Sequence, residues 1–139
     1  MLIVEDQAPM RAALCDLIET WFPKLRVIHA PDGATARKLF DARRPAFVLV
    51  DKNLPDANGL DLARTIKKLS PATMIAVTSV ETNAHIAAQA RAAGAVAFIG
   101  KDRLFDELRP LIGAAVTLME WMHGNASSSL VPADSPQNG

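Results

Sequence analysis

The sequence predicts an α/β fold: a doubly wound parallel sheet of five strands, each followed by a helix, (βα)5. Three observations carry that prediction. Short apolar runs alternate five times with longer stretches whose apolar residues recur every three or four positions. The connections are of helical length and too long for hairpins, which makes the strands parallel with right-handed crossovers. Phe47–Val50 is apolar at every position instead of alternating, as a strand covered on both faces should be.

Met1–Val4 is the first apolar run and ends at Glu5-Asp6. From Pro9, a good first-turn residue, Met10, Leu14, Leu17, Ile18 and Trp21 form a helical stripe that Pro23 stops. Arg26–Ala30 reads as the second strand. Pro31-Asp32-Gly33 is a turn in which Asp32 can cap a helix over Ala34–Arg43, with Ala36, Leu39 and Phe40 inward. Pro45 biases Arg44 away from helix and ends it. Phe47–Val50 runs into Asp51, and a loop with Pro55 and Gly59 leads to a helix over Leu60–Leu69, striped by Leu60, Ala63, Ile66 and Leu69. Met74–Val77 is the fourth strand and ends at Thr78-Ser79. An alanine-rich helix over Thr82–Ala93 closes at Gly94, a suitable residue after a helix end. Val96–Ile99 is the fifth strand and ends at Gly100-Lys101. The last helix carries Leu108, Leu111, Ile112, Ala115, Met119 and Met122, with Asp106 as its expected N-cap so that Pro110 falls in the first turn.

The 139 residues suit one domain over 1–123, followed by a disordered Ser/Pro-rich tail over 124–139. Fifteen basic against fifteen acidic residues leave no net charge, which argues against a nucleic-acid binder. Sparse aromatics and no Tyr argue against a base-stacking surface. A single cysteine, Cys15, excludes an internal disulfide and suits a reducing compartment; a buried, inert thiol is expected there. No apolar run reaches membrane-spanning length, so no membrane partner and a cytoplasmic location are expected. His29, His85 and His123 share no metal-ligand spacing.

Polar residues stand at the carboxyl end of four strands: Glu5 and Asp6, Asp51, Thr78 and Ser79, and Lys101. Each alone reads as a helix cap or a solvated surface group. With strands in the flavodoxin-like order 2-1-3-4-5, however, that edge is where ligands bind, and the first and third strands flank the switch point. Three converging carboxylates repel one another unless a cation intervenes, and an oxygen-only set points to Mg²⁺. Asp51 is then the best nucleophile, Lys101 the charge neutraliser and Thr78 a hydroxyl donor: the parts of an acyl-phosphate site.

The segments LIVEDQ (Leu2–Gln7), VLVDKNLPDANG (Val48–Gly59), VTS (Val77–Ser79) and AFIGKD (Ala97–Asp102) together resemble the response-regulator receiver domain of two-component signalling. The resemblance covers about Met1 to His123. It implies that Asp51 accepts a phosphoryl group from a sensor histidine kinase or a phosphotransfer protein. It implies that Asp6, Asp51 and the Asn53 backbone carbonyl hold Mg²⁺, with Glu5 holding the metal's water shell. It further implies that Lys101 contacts the phosphoryl group, that Thr78 moves toward it, and that Phe98 is a switch aromatic that follows Thr78. By the same resemblance the signal would leave through the face of helix four, strand five and helix five. Pro55 and Gly59 shape the loop after Asp51.

Two positions depart from the common pattern. Asp102 follows Lys101 where many receivers have proline, more like receivers attached to a LuxR-type DNA-binding domain. Val80, two beyond Thr78, is apolar and cannot orient an attacking water, so the phosphoryl lifetime is expected to be many minutes or longer. The reading is a signalling switch, not an enzyme in its own right. Alternatives are the receiver half of a LuxR-type transcription factor, an aspartyl-nucleophile phosphatase, and a degenerate receiver serving only as an interaction module. Val116, Leu118, Met119, Trp121 and Met122 crowd more than one face of the last helix, which points to a docked partner or a phosphorylation-linked homodimer. Receiver and tail use up the chain, so the output is expected to lie in another molecule or a domain absent from this chain.

Overall fold

The strand β3 (Phe47–Asp51) is buried at all five positions and forms the middle of the sheet. The computed structural model describes residues 1–128. Its other strands are β1 (Leu2–Val4), β2 (Ile28–Ala30), β4 (Met74–Ser79) and β5 (Ala97–Gly100), paired in parallel in the order β2-β1-β3-β4-β5. The helices are α1 (Ala8–Trp21), α2 (Gly33–Arg43), α3 (Gly59–Leu69), α4 (Ala84–Ala92) and α5 (Leu104–Ser128), with a 3₁₀ turn at Lys101–Arg103. The predicted fold class and strand order are those observed.

The chain divides into two compact units, Met1–Glu107 and the stretch from Leu108 onward. The core of the first unit joins Leu2 and Val4 of β1, Val48 and Val50 of β3, and Ile75 and Val77 of β4 to Phe40, Leu60, Ala63 and Ile66 of the helices. Fully burying one such Leu, Ile or Phe side chain contributes about 2 kcal/mol. In the second unit Leu108, Ile112 and Ala115 are buried, while Leu118, Trp121 and Met122 are exposed.

Several expected boundaries shift, each for a local reason. β3 and β4 run one and two residues further than expected, because Asp51 and Thr78 are still paired in register. β2 is shorter by two residues, and β5 is displaced by one to Ala97–Gly100. α4 starts two residues late because the Asn83 side chain accepts the Ile86 N–H and caps it there. Asp32 caps α2 as expected, and Gly94 takes the left-handed conformation (φ 99°) that favours glycine after a helix. Leu69 is exposed, whereas Leu62 joins the α3 core stripe. Cys15 is half-buried rather than buried, and burial together with the neighbouring Glu19 and Asp16 carboxylates pushes its thiol pKa up.

The largest correction concerns α5. Asp106 is not its N-cap: the Lys101–Arg103 turn leads straight into the helix at Leu104, which leaves Pro110 in the helix interior. Pro110 therefore offers no N–H to the Asp106 carbonyl. Leu104 and Leu108, four apart on one face, are both fully buried, and that burial offsets the missing bond. The helix also continues through residues 124–128, expected to belong to the tail. The remainder of that expected tail, 129–139, lies outside the described residues.

Candidate functional site

The carboxyl ends of β1, β3, β4 and β5 meet at one edge of the sheet because all strands run parallel. Three side chains predicted to converge there do so. Carboxylate oxygens of Glu5, Asp6 and Asp51 lie within 4.8 Å of one another. Glu5 and Asp51 are 1% and 3% exposed, whereas Asp6 is open to solvent.

Lys101 reaches this cluster from the end of β5. Its ammonium is 2.6 Å from Asp51 Oδ2 and 2.9 Å from Glu5 Oε1. Burial works to lower the Lys101 pKa, but the hydrogen bonds and charges of Asp51 and Glu5 outweigh it, and the net direction is upward. Burial pushes the Glu5 pKa up, more than the Gln7 N–H and Lys101 pull it down. Three acids facing one ammonium leave the edge with an excess of negative charge.

The other oxygens of the two buried acids are held by backbone. Asp51 Oδ1 accepts the Asn53 N–H at 3.0 Å, and Glu5 Oε2 accepts the Gln7 N–H at 3.0 Å. Gly59 secures the same loop. Its N–H donates to the Lys52 carbonyl at 2.7 Å, and a Cβ there would lie 2.0 Å from the Asp51 carbonyl oxygen, so only glycine fits.

Thr78 pairs in register with Asp51 and is 2% exposed, and among the described residues its Oγ1 has no hydrogen-bond partner. A buried hydroxyl left unpaired is costly, and it is suited to an incoming oxygen ligand. Phe98 is half-buried on β5, pairs with Val77 and packs against the core. With Ala87, Ala90, Arg91 and Val96 it lines a shallow hollow between α4 and β5.

Sequence reasoning missed four participants. Arg11, in the second turn of α1, donates to the Glu5 carbonyl at 2.8 Å and fixes the end of β1. Lys52 and Glu81 form an ion pair at 3.6 Å that ties the loop after β3 to the loop after β4. Asp56 reaches across to α2. Only the partner's position in space distinguishes these from ordinary surface charges.

A cation fits the geometry: all donors are oxygen, two acids are buried, and their charge is incompletely compensated. Among the described residues no helix is long and apolar enough to cross a membrane.

A five-stranded parallel sheet in this order, with acids gathered at its switch point, defines a doubly wound ligand-binding domain. The response regulator receiver domain family matches residues 1–112, and the chain belongs to it. Its function is phosphorylation-dependent signalling. It is 31% identical to a protein-glutamate methylesterase/protein-glutamine glutaminase from Dechloromonas aromatica, over all of this chain but only 43% of that protein. The chain thus spans less than half the length of that relative. Among solved structures, the signal receiver domain of a DNA-binding response regulator from Colwellia psychrerythraea superposes with a TM-score of 0.80 at 22% identity. That match covers 84% of this chain and 96% of the other, and shows the shared fold. A two-component response regulator of the LuxR family from Aurantimonas is 27% identical, with a TM-score of 0.76 and coverage of 84% and 83%.

Proposed function

We propose that Asp51 is the phosphoacceptor of a switch loaded by a sensor histidine kinase or a phosphotransfer protein. A carboxylate oxygen of Asp51 attacks the phosphorus of a phosphohistidine. The new O–P bond forms as the N–P bond breaks, and the electron pair leaves with the imidazole nitrogen, which takes a proton. Mg²⁺, held by Asp6, Asp51 and the Asn53 backbone with Glu5 behind them, would supply positive charge to the transferring phosphoryl oxygens. Lys101 gives up part of its pairing with Asp51 and contacts the phosphoryl group instead. The Thr78 hydroxyl donates to a phosphoryl oxygen, and Phe98 follows it inward. The α4–β5 surface thereby changes shape for a downstream protein or a second copy of the chain.

The observation that supports this reading most is Asp51 itself: buried, central, gripped by Lys101 and paired in register with Thr78, whose hydroxyl has no partner among the described residues. The test is intact mass after incubation with acetyl phosphate. One phosphoryl group should be added in Mg²⁺, none in EDTA and none to Asp51→Asn. Phosphorylation of Asp51→Asn at the same rate would refute the assignment. Sustained phosphate-ester turnover would favour the phosphatase reading. Size exclusion with mass detection, with and without beryllofluoride, reports whether the downstream partner is a second copy.

A further inference from the structure

Asp56 lies at the tip of the loop between β3 and α3, three residues beyond Asn53. Its Oδ1 accepts the Gly33 N–H at 2.7 Å and its Oδ2 accepts the Ala34 N–H at 3.0 Å. These are the first two N–H groups of α2, which have no partner within the helix. The helix already has its own cap, because Asp32 accepts the Thr35 N–H at 2.7 Å. A second carboxylate, brought from more than twenty residues away, takes two donors that Asp32 does not reach, and in doing so it fixes the loop that carries it.

The loop is closed at its other points as well. Asn53 and Asn58 face each other in an isolated antiparallel bridge, and the Leu54 N–H donates to the Ala57 carbonyl at 3.2 Å. The Asn58 side chain caps α3 through the Leu60 N–H at 2.8 Å. Gly33 allows the tip to come close: a Cβ there would lie 3.0 Å from the Ala57 Cβ and 3.2 Å from Asp56 Oδ1. Base and tip are thus both anchored, so the Asn53 backbone cannot drift without stretching the Asp56 bonds. The two N–H donors also hold the Asp56 pKa below its ordinary value, as expected for an anion at a helix N-terminus.

We propose that Asp56 is a positioning residue for the divalent-cation site, using the N-terminus of α2 as a fixed clamp for the loop that presents Asn53. This rests on the proposed role of the Asn53 backbone as a ligand. Cutting the tether leaves the ligand to be ordered on binding, an entropic cost that the clamp otherwise removes beforehand. Loss of such outer support typically weakens metal binding about tenfold or more.

The test is calorimetric titration of the full chain with Mg²⁺ in 1 M salt, where charges are screened beyond about 3 Å. Asp56→Ala should weaken binding about tenfold, and Asp56→Asn, which keeps an acceptor, should fall between it and the unmutated chain. Gly33→Ala, which disturbs the same contact from the α2 side, should also weaken binding. Asp32→Ala removes a cap from the same helical turn but leaves the tether, and should bind as the unmutated chain does. Equal affinity in Asp56→Ala, or an equal loss in Asp32→Ala, would overturn the clamp while leaving the cation site standing. Failure of the unmutated chain to bind Mg²⁺ would remove the proposed site and the clamp together.

Discussion

Replacing Lys101 by methionine removes the cation that, among the described residues, pairs with both buried acids, and metal-free stability should fall with a distinctive pH dependence. The Lys101 ammonium lies 2.6 Å from Asp51 and 2.9 Å from Glu5, with side chains 12%, 4% and 2% exposed respectively. At an effective dielectric constant of about 20, each contact is worth about 6 kcal/mol before desolvation. Removing the ammonium also removes its own desolvation cost, so the net loss should be about 3 kcal/mol. For a domain of this size that lowers the melting temperature by about 10 °C.

The measurement is thermal unfolding in EDTA at pH 8 and again in mildly acidic buffer. Glu5 has a raised folded pKa, so the folded state binds its proton more readily than the unfolded chain does. Protonation therefore favours folding below that raised pKa, and the benefit is lost as pH climbs through it. In Lys101→Met the Glu5 pKa should rise further, and the deficit should shrink on acidification. An unchanged melting temperature at pH 8, or a deficit that ignores pH, would refute the electrostatic argument.

Three further variants have expected outcomes. Thr78→Val should leave stability unchanged or raise it by up to about 1 kcal/mol, because it removes a buried hydroxyl without a partner; chemical unfolding checks this. The same variant should still be phosphorylated but respond weakly in partner binding. Gly59→Ala should destabilise by about 3 kcal/mol or more and slow phosphorylation, since its Cβ would collide with Asp51 and Lys52 backbone. Val80, 74% exposed, should permit a phosphoryl lifetime of many minutes in a mass time course, and Val80→Gln should shorten it by helping a water into line.

Local pattern made much of this protein legible. Apolar runs bounded by Pro, Gly and Asp locate all five strands and all five helices, because periodicity and turn chemistry are properties of neighbouring residues. The acids Glu5, Asp6 and Asp51 were readable as a site because parallel topology sends every strand's carboxyl end to one edge. Their convergence needs only parallel strands in the flavodoxin-like order, which comes from likeness to that fold and which the sheet adopts.

Misplaced boundaries occur where a distant group intervenes. α5 begins at Leu104 and absorbs Pro110, because burial of Leu104 and Leu108 outweighs a local propensity against that start. Asp51 and Thr78 belong to strands, not loops, because each has the other as its register partner.

The sequence by itself determined the fold class and the identity of the acids, since those follow from pattern and spacing along one chain. The strand order came from likeness to a known fold and is seen in the sheet. Only the tertiary structure decided that Lys101 grips both Glu5 and Asp51, that the Thr78 hydroxyl finds no partner among the described residues, and that Asp56 closes on α2. Hydrogen bonds and ion pairs act over about 3 Å of space, and the separation of two residues along the chain says little about that distance.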